Sequence, residues 1–202
     1  MTHSRTHYSS EQQDSKPVER KITARLRGEE LQFFSVAGVF SKKKIDLGTE
    51  ILIENAVVKP EWKILDLGCG YGPVGVALAK AFPSAKIVMS DVNRRAVLAA
   101  KKNAELNRVG NAEVVFSDFY SGVSGEFDTI IINPPQKAGK EVCFRMITES
   151  KEHLRKGGLL QIVARHQKGG KSLSDKMMET FKNVTVIARE SGYRVYSSER
   201  KD

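Results

Sequence analysis

Lys63-Ile64-Leu65-Asp66-Leu67-Gly68-Cys69-Gly70-Tyr71-Gly72-Pro73-Val74-Gly75 is the stretch on which the fold turns. Lys63–Leu67 is a short apolar run of the length that strands favour. Gly68, Gly70 and Gly72 then allow a sharp turn and a close approach to a ligand, since no Cβ stands in the way. Pro73 sits where the first turn of a helix tolerates proline, and the apolar run to Phe82 predicts that helix. Strand, glycine loop and helix in this order open an α/β unit. In such units ligands bind beyond the carboxyl end of the strand.

The same alternation runs on from there. Ala85–Ser90 reads as a strand and Arg94–Asn107 as a helix. Glu113–Ser117 and Phe127–Ile132 read as strands. Lys140–Leu154 reads as a helix with Cys143, Ile147, Ser150 and Leu154 on one side, closed by Gly157-Gly158. Leu159–Ala164 follows as a strand and Ser172–Phe181 as a helix. Val184–Ala188 and Tyr193–Ser197 are strands joined too tightly for a crossover, so that pair is expected to be antiparallel. Upstream, Lys21–Arg27 and Leu31–Val36 predict a β-hairpin, and Asp46 an N-cap for a helix carrying Leu47, Ile51 and Leu52. The predicted fold is a three-layer, Rossmann-like α/β sheet of seven strands. It is mostly parallel, ends in an antiparallel hairpin, and is preceded by a short N-terminal hairpin. Residues 1–18 are expected to be a disordered or loosely attached tail, being almost without aliphatics. Residues 19–202 are expected to be one domain, with hairpin and helix over 19–60 and the core over 61–202.

Composition narrows the classes of function. The 202 residues suffice for one domain with a sizeable core. No apolar run is long enough for a membrane span, and Met1–Lys16 lacks an apolar signal core, so a cytoplasmic protein is expected. Cys69 and Cys143 are too few and too isolated for a disulfide framework or a zinc site, and the four histidines have no ligand company, so no metal is expected. The net charge of +9 favours a polyanionic partner, against the plainer reading of charge for solubility.

Three carboxylates and two loops carry the candidate chemistry. Gly70-Tyr71-Gly72-Pro73-Val74-Gly75 also fits the dinucleotide pattern G-x-G-x-x-G. That pattern normally begins directly after the strand, whereas Asp66 to Cys69 intervene here, and a proline inside it removes an amide. Asp66 at the loop entrance suits a cationic sulfonium and amino-acid ligand better than a phosphate. Asp91 ends the second strand of the core, where a carboxylate accepts both ribose hydroxyls, unless it caps the next helix instead of Asn93. Asp118 ends the third, placed for an adenine amino group with Phe119 beside the ring; a surface turn is the alternative. Asn133-Pro134-Pro135 closes the strand Phe127–Ile132. Two prolines stiffen the backbone and remove two donors, leaving the Asn133 side-chain oxygen and the Pro134 carbonyl as acceptors. Two acceptors hold both hydrogens of an aryl amine and aim its lone pair at a methyl group, which is positioning rather than general-base catalysis.

These motifs resemble the class I S-adenosylmethionine-dependent methyltransferases. Within that class residues 36–165 resemble the small methyltransferase-domain family that includes the small-subunit ribosomal RNA guanine-amine methyltransferases. The residues that carry the resemblance are Gly38-Val39-Phe40-Ser41, Asp46-Leu47-Gly48-Thr49, Asp66 through Gly75, Asp91-Val92-Asn93, and Asn133-Pro134-Pro135 with Gly139-Lys140. The resemblance implies S-adenosyl-L-methionine as cofactor. It places Asp66, Gly68, Cys69 and Gly70 at the methionine part, Asp91 with Val92 at the ribose, and Asp118 with Phe119 at the adenine. It places Asn133 and Pro134 at the target amine, with Pro135 bracing the loop and Asn133 also beside the cofactor, and sets Phe40 near the site. Amine methyltransferases commonly carry an aromatic after Asn-Pro-Pro to stack a flipped base; here Gln136 stands there. The larger ribosomal members have an extra N-terminal domain, so the chain resembles the short branch.

Ribosomal RNA is the expected partner. Gln136, Lys137, Lys140, Arg165, Lys168 and Lys171 join Phe40 as candidate substrate contacts, with Lys42, Lys43, Lys44 and His166 adding basic character nearby. Three other functions fit less of the pattern: a protein glutamine methyltransferase, a nicotinamide-dependent oxidoreductase, and a silent RNA-binding module.

Overall fold

The computed structural model of the protein describes residues 19–36, 44–135 and 139–202. The expected tail over 1–18, and the candidate residues Phe40, Gln136 and Lys137 with Lys42 and Lys43, lie outside the described residues. Strands β1 (Glu19–Leu26) and β2 (Glu29–Val36) form a separate antiparallel pair. The turn is tighter than the sequence predicts, only Arg27-Gly28, both at positive φ as a two-residue hairpin turn requires.

Seven strands make the main sheet: β3 (Lys63–Leu67), β4 (Lys86–Asp91), β5 (Ala112–Phe116), β6 (Phe127–Ile132), β7 (Leu154–Arg165), β8 (Thr185–Glu190) and β9 (Tyr193–Glu199). Their spatial order is β5-β4-β3-β6-β7-β9-β8. β3, β4, β5, β6 and β7 pair in parallel. β9 runs antiparallel to both neighbours and is inserted between β7 and β8. The antiparallel pairing of the last two strands follows from their short loop; their inverted order does not. Helices α1 (Leu47–Asn55), α2 (Pro73–Ala81) and α3 (Arg94–Leu106) lie on one face, and α4 (Gly139–His153) and α5 (Lys171–Phe181) on the other. Alternate strand residues feed the two cores: Ile64 and Ile131 one, Leu65, Ile130 and Ile132 the other.

Two local features differ from expectation. α4 stops at His153, so Leu154 leaves the predicted helix and pairs with Phe127 in the sheet. The sheet resumes with Leu159 opposite Thr129, so residues 155–158 loop out; Gly157 sits there at φ +80° and donates to the Arg200 carbonyl. Gly157-Gly158 thus serves this loop-out rather than a helix terminus. The expected loop after β7 contains a short irregular helix, His166–Gly170, distorted at Lys168 and Gly169.

The N-terminal hairpin is tied to the core by polar side chains as well as apolar ones. Asn103 on α3 and Asn107, the cap one turn later at its C-terminus, each exchange two hydrogen bonds with the β2 backbone, at Phe34 and Gln32. Two amides thus stand in for a neighbouring strand along that edge. Arg27 in the hairpin turn donates to the Ile53 and Ala56 carbonyls at the end of α1, groups a helix leaves unsatisfied. The hairpin therefore holds one end of α1, and the other end of α1 reaches the site.

Candidate active site

The strand order reverses between β3 and β6. The loops leaving their carboxyl ends diverge there and open a crevice. After β3, the amides of Gly68 and Cys69 both donate to the Ser90 carbonyl at the end of β4, at 2.8 and 2.9 Å. Gly68 and Gly70 adopt φ of +73° and +57°, which an L side chain resists. Asp66 is 2% exposed, and its Oδ2 accepts from the Gly75 amide at 2.9 Å. A Cβ on Gly75 would lie 2.2 Å from the Met89 Cγ. Glycine at 75 therefore lets α2 sit close enough for its amide to reach the carboxylate. Burial raises the Asp66 pKa to about 7, opposed by the Gly75 amide and assisted by the charge of Asp91. A buried carboxylate with one bond to protein is a fitting seat for a cationic ligand group.

Asp91 closes β4 with its two oxygens divided. Oδ2 accepts from the Gly70 amide at 2.9 Å and Oδ1 from the Asn93 amide at 2.8 Å. Asn93, not Asp91, caps α3, its side chain accepting from the Arg95 amide. Each Asp91 oxygen keeps lone pairs, which suits a vicinal diol. Its pKa is raised by burial, against the pull of the Asn93, Gly70 and Val92 amides.

On the β6 side, Asn133, Pro134 and Pro135 are half-buried. The Asn133 Nδ2 donates to Thr49 Oγ1 at 2.8 Å and to Asp46 Oδ2 at 3.2 Å. Asp46 caps α1, accepting the Thr49 amide at 3.0 Å and the Thr49 hydroxyl at 2.8 Å. One cavity is lined by Asp66, Gly68, Cys69, Gly70 and Asn133, together with Lys44, Asp46, Thr49, Tyr71, Pro73 and Val74. Asp46 and Thr49 were not among the sequence's candidate site residues. Asp46 was legible as a helix cap and, with Thr49, as part of a motif that carries the resemblance, and nothing local announces that a cap will meet a loop 87 positions away.

The remaining candidates scatter around this cavity. Asp91, Val92, Asp118 and Phe119 are not in its lining but follow along the next strand ends; Val92 is 45% exposed. Asp118 is exposed. Phe119 is half-buried at φ +51°, with the Arg145 guanidinium 4.0 Å from its ring centroid. Lys140 is exposed at the start of α4. Arg165 stacks on the Tyr193 ring at 4.8 Å, near enough to Asp46 to feel its charge. Lys168 and Lys171 are exposed on and after the irregular helix. Arg189 and Arg194, which sequence reading missed, lie directly opposite each other on β8 and β9. His166 donates to or accepts from the Tyr196 hydroxyl at 2.8 Å. Partial desolvation, then Arg194, Lys171 and Arg189, lower its pKa. Among the described residues no group of three or more His, Cys, Asp or Glu is arranged to hold a metal ion. No helix of those residues is long and apolar enough to cross a membrane.

A reversal-point cavity with a buried carboxylate under a glycine loop and Asn133 across from it, Pro134 and Pro135 lying outside the lining, is that of an S-adenosylmethionine-dependent methyltransferase, and the chain belongs to the methyltransferase small domain family, which it matches over residues 30–197. Among its relatives, the Bacillus subtilis (strain 168) uncharacterized protein YbxB is 39% identical over 198 residues, covering 96% of this chain and 98% of that one. The ribosomal RNA small subunit methyltransferase C of Haemophilus influenzae (strain PittGG) is 37% identical over 173 residues, 84% of this chain and 51% of that one. The structure resembles the T. thermophilus 16S rRNA N2 G1207 methyltransferase (RsmC), solved in complex with AdoMet and guanosine. There the TM-score is 0.77 at 26% identity, over 91% of this chain and 51% of that one. The chain thus spans about half the length of the ribosomal RNA methyltransferases it matches.

Proposed function

We propose that the protein transfers a methyl group to an exocyclic amine of a nucleobase in RNA, with guanine in ribosomal RNA as the acceptor. The observation that carries this reading is that Asn133 lines the same cavity as Asp66, Gly68, Cys69 and Gly70. Acceptors for an amine and a seat for a cation thus share one crevice. S-adenosyl-L-methionine supplies an electrophilic methyl group when bound. Asp66 with Gly68, Cys69 and Gly70, whose loop lets a ligand approach closely, would hold its amino-acid part, Asp91 with Val92 its ribose, and Asp118 with Phe119 its adenine. Asn133 and the Pro134 carbonyl accept the two amine hydrogens, and Pro135 keeps the loop stiff. Held so, the amine lone pair leaves ring conjugation and points into the cavity. After transfer the methylated amine would release its proton to water, so no side-chain base is required of the protein.

An RNA acceptor is supported by the charge of +9 and by where the cations fall. Like charges facing each other across a strand pair are unfavourable without an anion between or beside them, and Arg189 and Arg194 face each other in this way. With Lys140, Arg165, Lys168 and Lys171 they form the surface for backbone phosphates; Phe40, Gln136 and Lys137 are assigned to the acceptor nucleotide. The ribosomal RNA named as substrate of related methyltransferases points the same way. The test is incubation of the protein with isotope-labelled cofactor and small ribosomal subunits or their naked RNA, followed by mass spectrometry of nucleosides. The expected product is N2-methylguanosine. Label in a different nucleoside moves the acceptor; label in a protein glutamine, or no transfer to RNA at all, overturns the reading.

A further inference from the structure

A carboxamide is ambiguous by itself, because a half-turn about its last torsion exchanges an acceptor for a donor. For Asn133 the difference is decisive. With its oxygen toward an acceptor amine it accepts a hydrogen; with its nitrogen there, two donors face each other. The four bonds that join Asp46, Thr49 and Asn133 run in one direction only. Asp46 Oδ2, a carboxylate oxygen, accepts the Thr49 amide, the Thr49 hydroxyl and the Asn133 Nδ2. The Thr49 hydroxyl has one hydrogen, committed to Asp46, so it offers Asn133 a lone pair at 2.8 Å. Both neighbours of the Asn133 amide are therefore acceptors, and both require its nitrogen. A flipped Asn133 would set its oxygen against a carboxylate oxygen and leave two bonds unmade.

We infer that Asp46 and Thr49, at the N-terminus of α1, are positioning residues for methyl transfer. They lock Asn133 with Nδ2 toward α1 and Oδ1 toward the acceptor amine. This rests on the assignment of Asn133 to an amine acceptor. It adds that the polarity of the catalytic acceptor is imposed by a helix outside the parallel sheet. A cap alone needs only the Thr49 amide bonded to residue 46, a task Asn and Ser perform as well as Asp. The hydroxyl and amide contacts exceed that requirement.

Asp46→Asn keeps the cap but gives residue 46 an NH2 that can bond a flipped Asn133. It should lower kcat by about 10- to 100-fold, with melting temperature and cofactor Kd unchanged. Thr49→Val should do the same, and Thr49→Ser should retain activity. The sharper measurement is a swap. In an Asn133→Asp background two carboxylates oppose each other, and adding Asp46→Asn restores a donor between them. The same substitution that lowers kcat in the parent should raise it there. A drop in both backgrounds, or a change confined to cofactor Kd or melting temperature, overturns the inference. An Overhauser contact from the Asn133 side-chain amide protons to the Thr49 side chain of the cofactor-bound protein is expected whatever the acceptor is. Its absence sinks the locked orientation. Failure of the wild type to methylate RNA, with that contact present, counts only against the acceptor proposed above.

Discussion

The two loops that flank the crevice are built in opposite ways. The loop after β3 is buried beyond Gly68, rich in amides, and bonded to the sheet at several points: Gly68 and Cys69 to Ser90, Gly70 to Asp91, Gly75 to Asp66. The loop after β6 is half-exposed, and two of its three described residues are prolines with no amide hydrogen. Among the described residues its side-chain link to the fold is Asn133, and that link reaches α1 rather than the sheet. The first loop is held by backbone and presents carboxylates; the described part of the second is tied by the Asn133 side chain and presents acceptors. Damage to the first should therefore appear in cofactor affinity and stability, and damage to the second in rate.

The largest effect is expected on the second loop. Asn133→Ala should slow methyl transfer by about 10²–10³, the usual loss when one preorganised polar group leaves a transition-state site. Cofactor affinity by calorimetry should change little. A Kd that weakened in parallel would erase the division between the loops.

Asp66→Asn probes the first loop. It should weaken cofactor binding by about 1.5–3 kcal/mol, the worth of a charged hydrogen bond. In the wild type, affinity should fall as pH drops through about 7, because the protonated carboxyl no longer complements a cation. The stability of the cofactor-free protein should run the other way. Folded Asp66 keeps its proton up to about 7, whereas unfolded Asp releases it near the ordinary 3.8. The stabilising contribution of neutral Asp66 is thus full below the lower value and lost as pH rises through the higher one. At pH 8 Asp66→Asn should exceed the wild type in stability, by roughly 1–3 kcal/mol in denaturant melts. A pH-independent wild-type Kd would place the ligand's charge elsewhere.

Gly75→Ala tests the close approach beneath the same loop. Its Cβ meets Met89, and overpacking of this kind costs about 1–3 kcal/mol. Thermal melts should register the loss, and an unchanged melting temperature would show that Met89 yields freely. The smallest effect is expected at the surface. Replacing Arg165, Lys168 and Lys171 together by Ala should flatten the salt dependence of RNA binding by about 0.7 in log–log slope per lost phosphate contact on single-stranded RNA. Cofactor binding should not move. An unaltered slope would shift the RNA surface toward Arg189 and Arg194.

Legibility in the sequence divided along the same line. The first loop is local: strand, glycines and helix stand within Lys63–Ala81, and Asp91 follows at the end of the next strand, so period and turn chemistry expose them. Asn133-Pro134-Pro135 was readable for the same reason, as rare turn chemistry at a strand end. What surrounds Asn133 was not. Asp46 was visible as a cap, and only packing of α1 against the sheet turns that cap into a partner of Asn133. The basic surface was half-visible: Arg165, Lys168 and Lys171 cluster in sequence, whereas Arg189 and Arg194 meet only because β8 and β9 pair.

The sequence by itself determined the alternation of strands and helices, the antiparallel closing hairpin, the glycine loop and the acceptor loop. These depend on periodicity, caps and turns, which act over a few residues. Tertiary structure alone decided that β9 inserts between β7 and β8 and that Leu154 joins the sheet instead of the helix. It also decided which way the Asn133 amide faces. Those outcomes are settled by contacts between residues far apart in the chain, where the burial of apolar faces and the pairing of each donor with an acceptor choose among arrangements that local chemistry leaves equal.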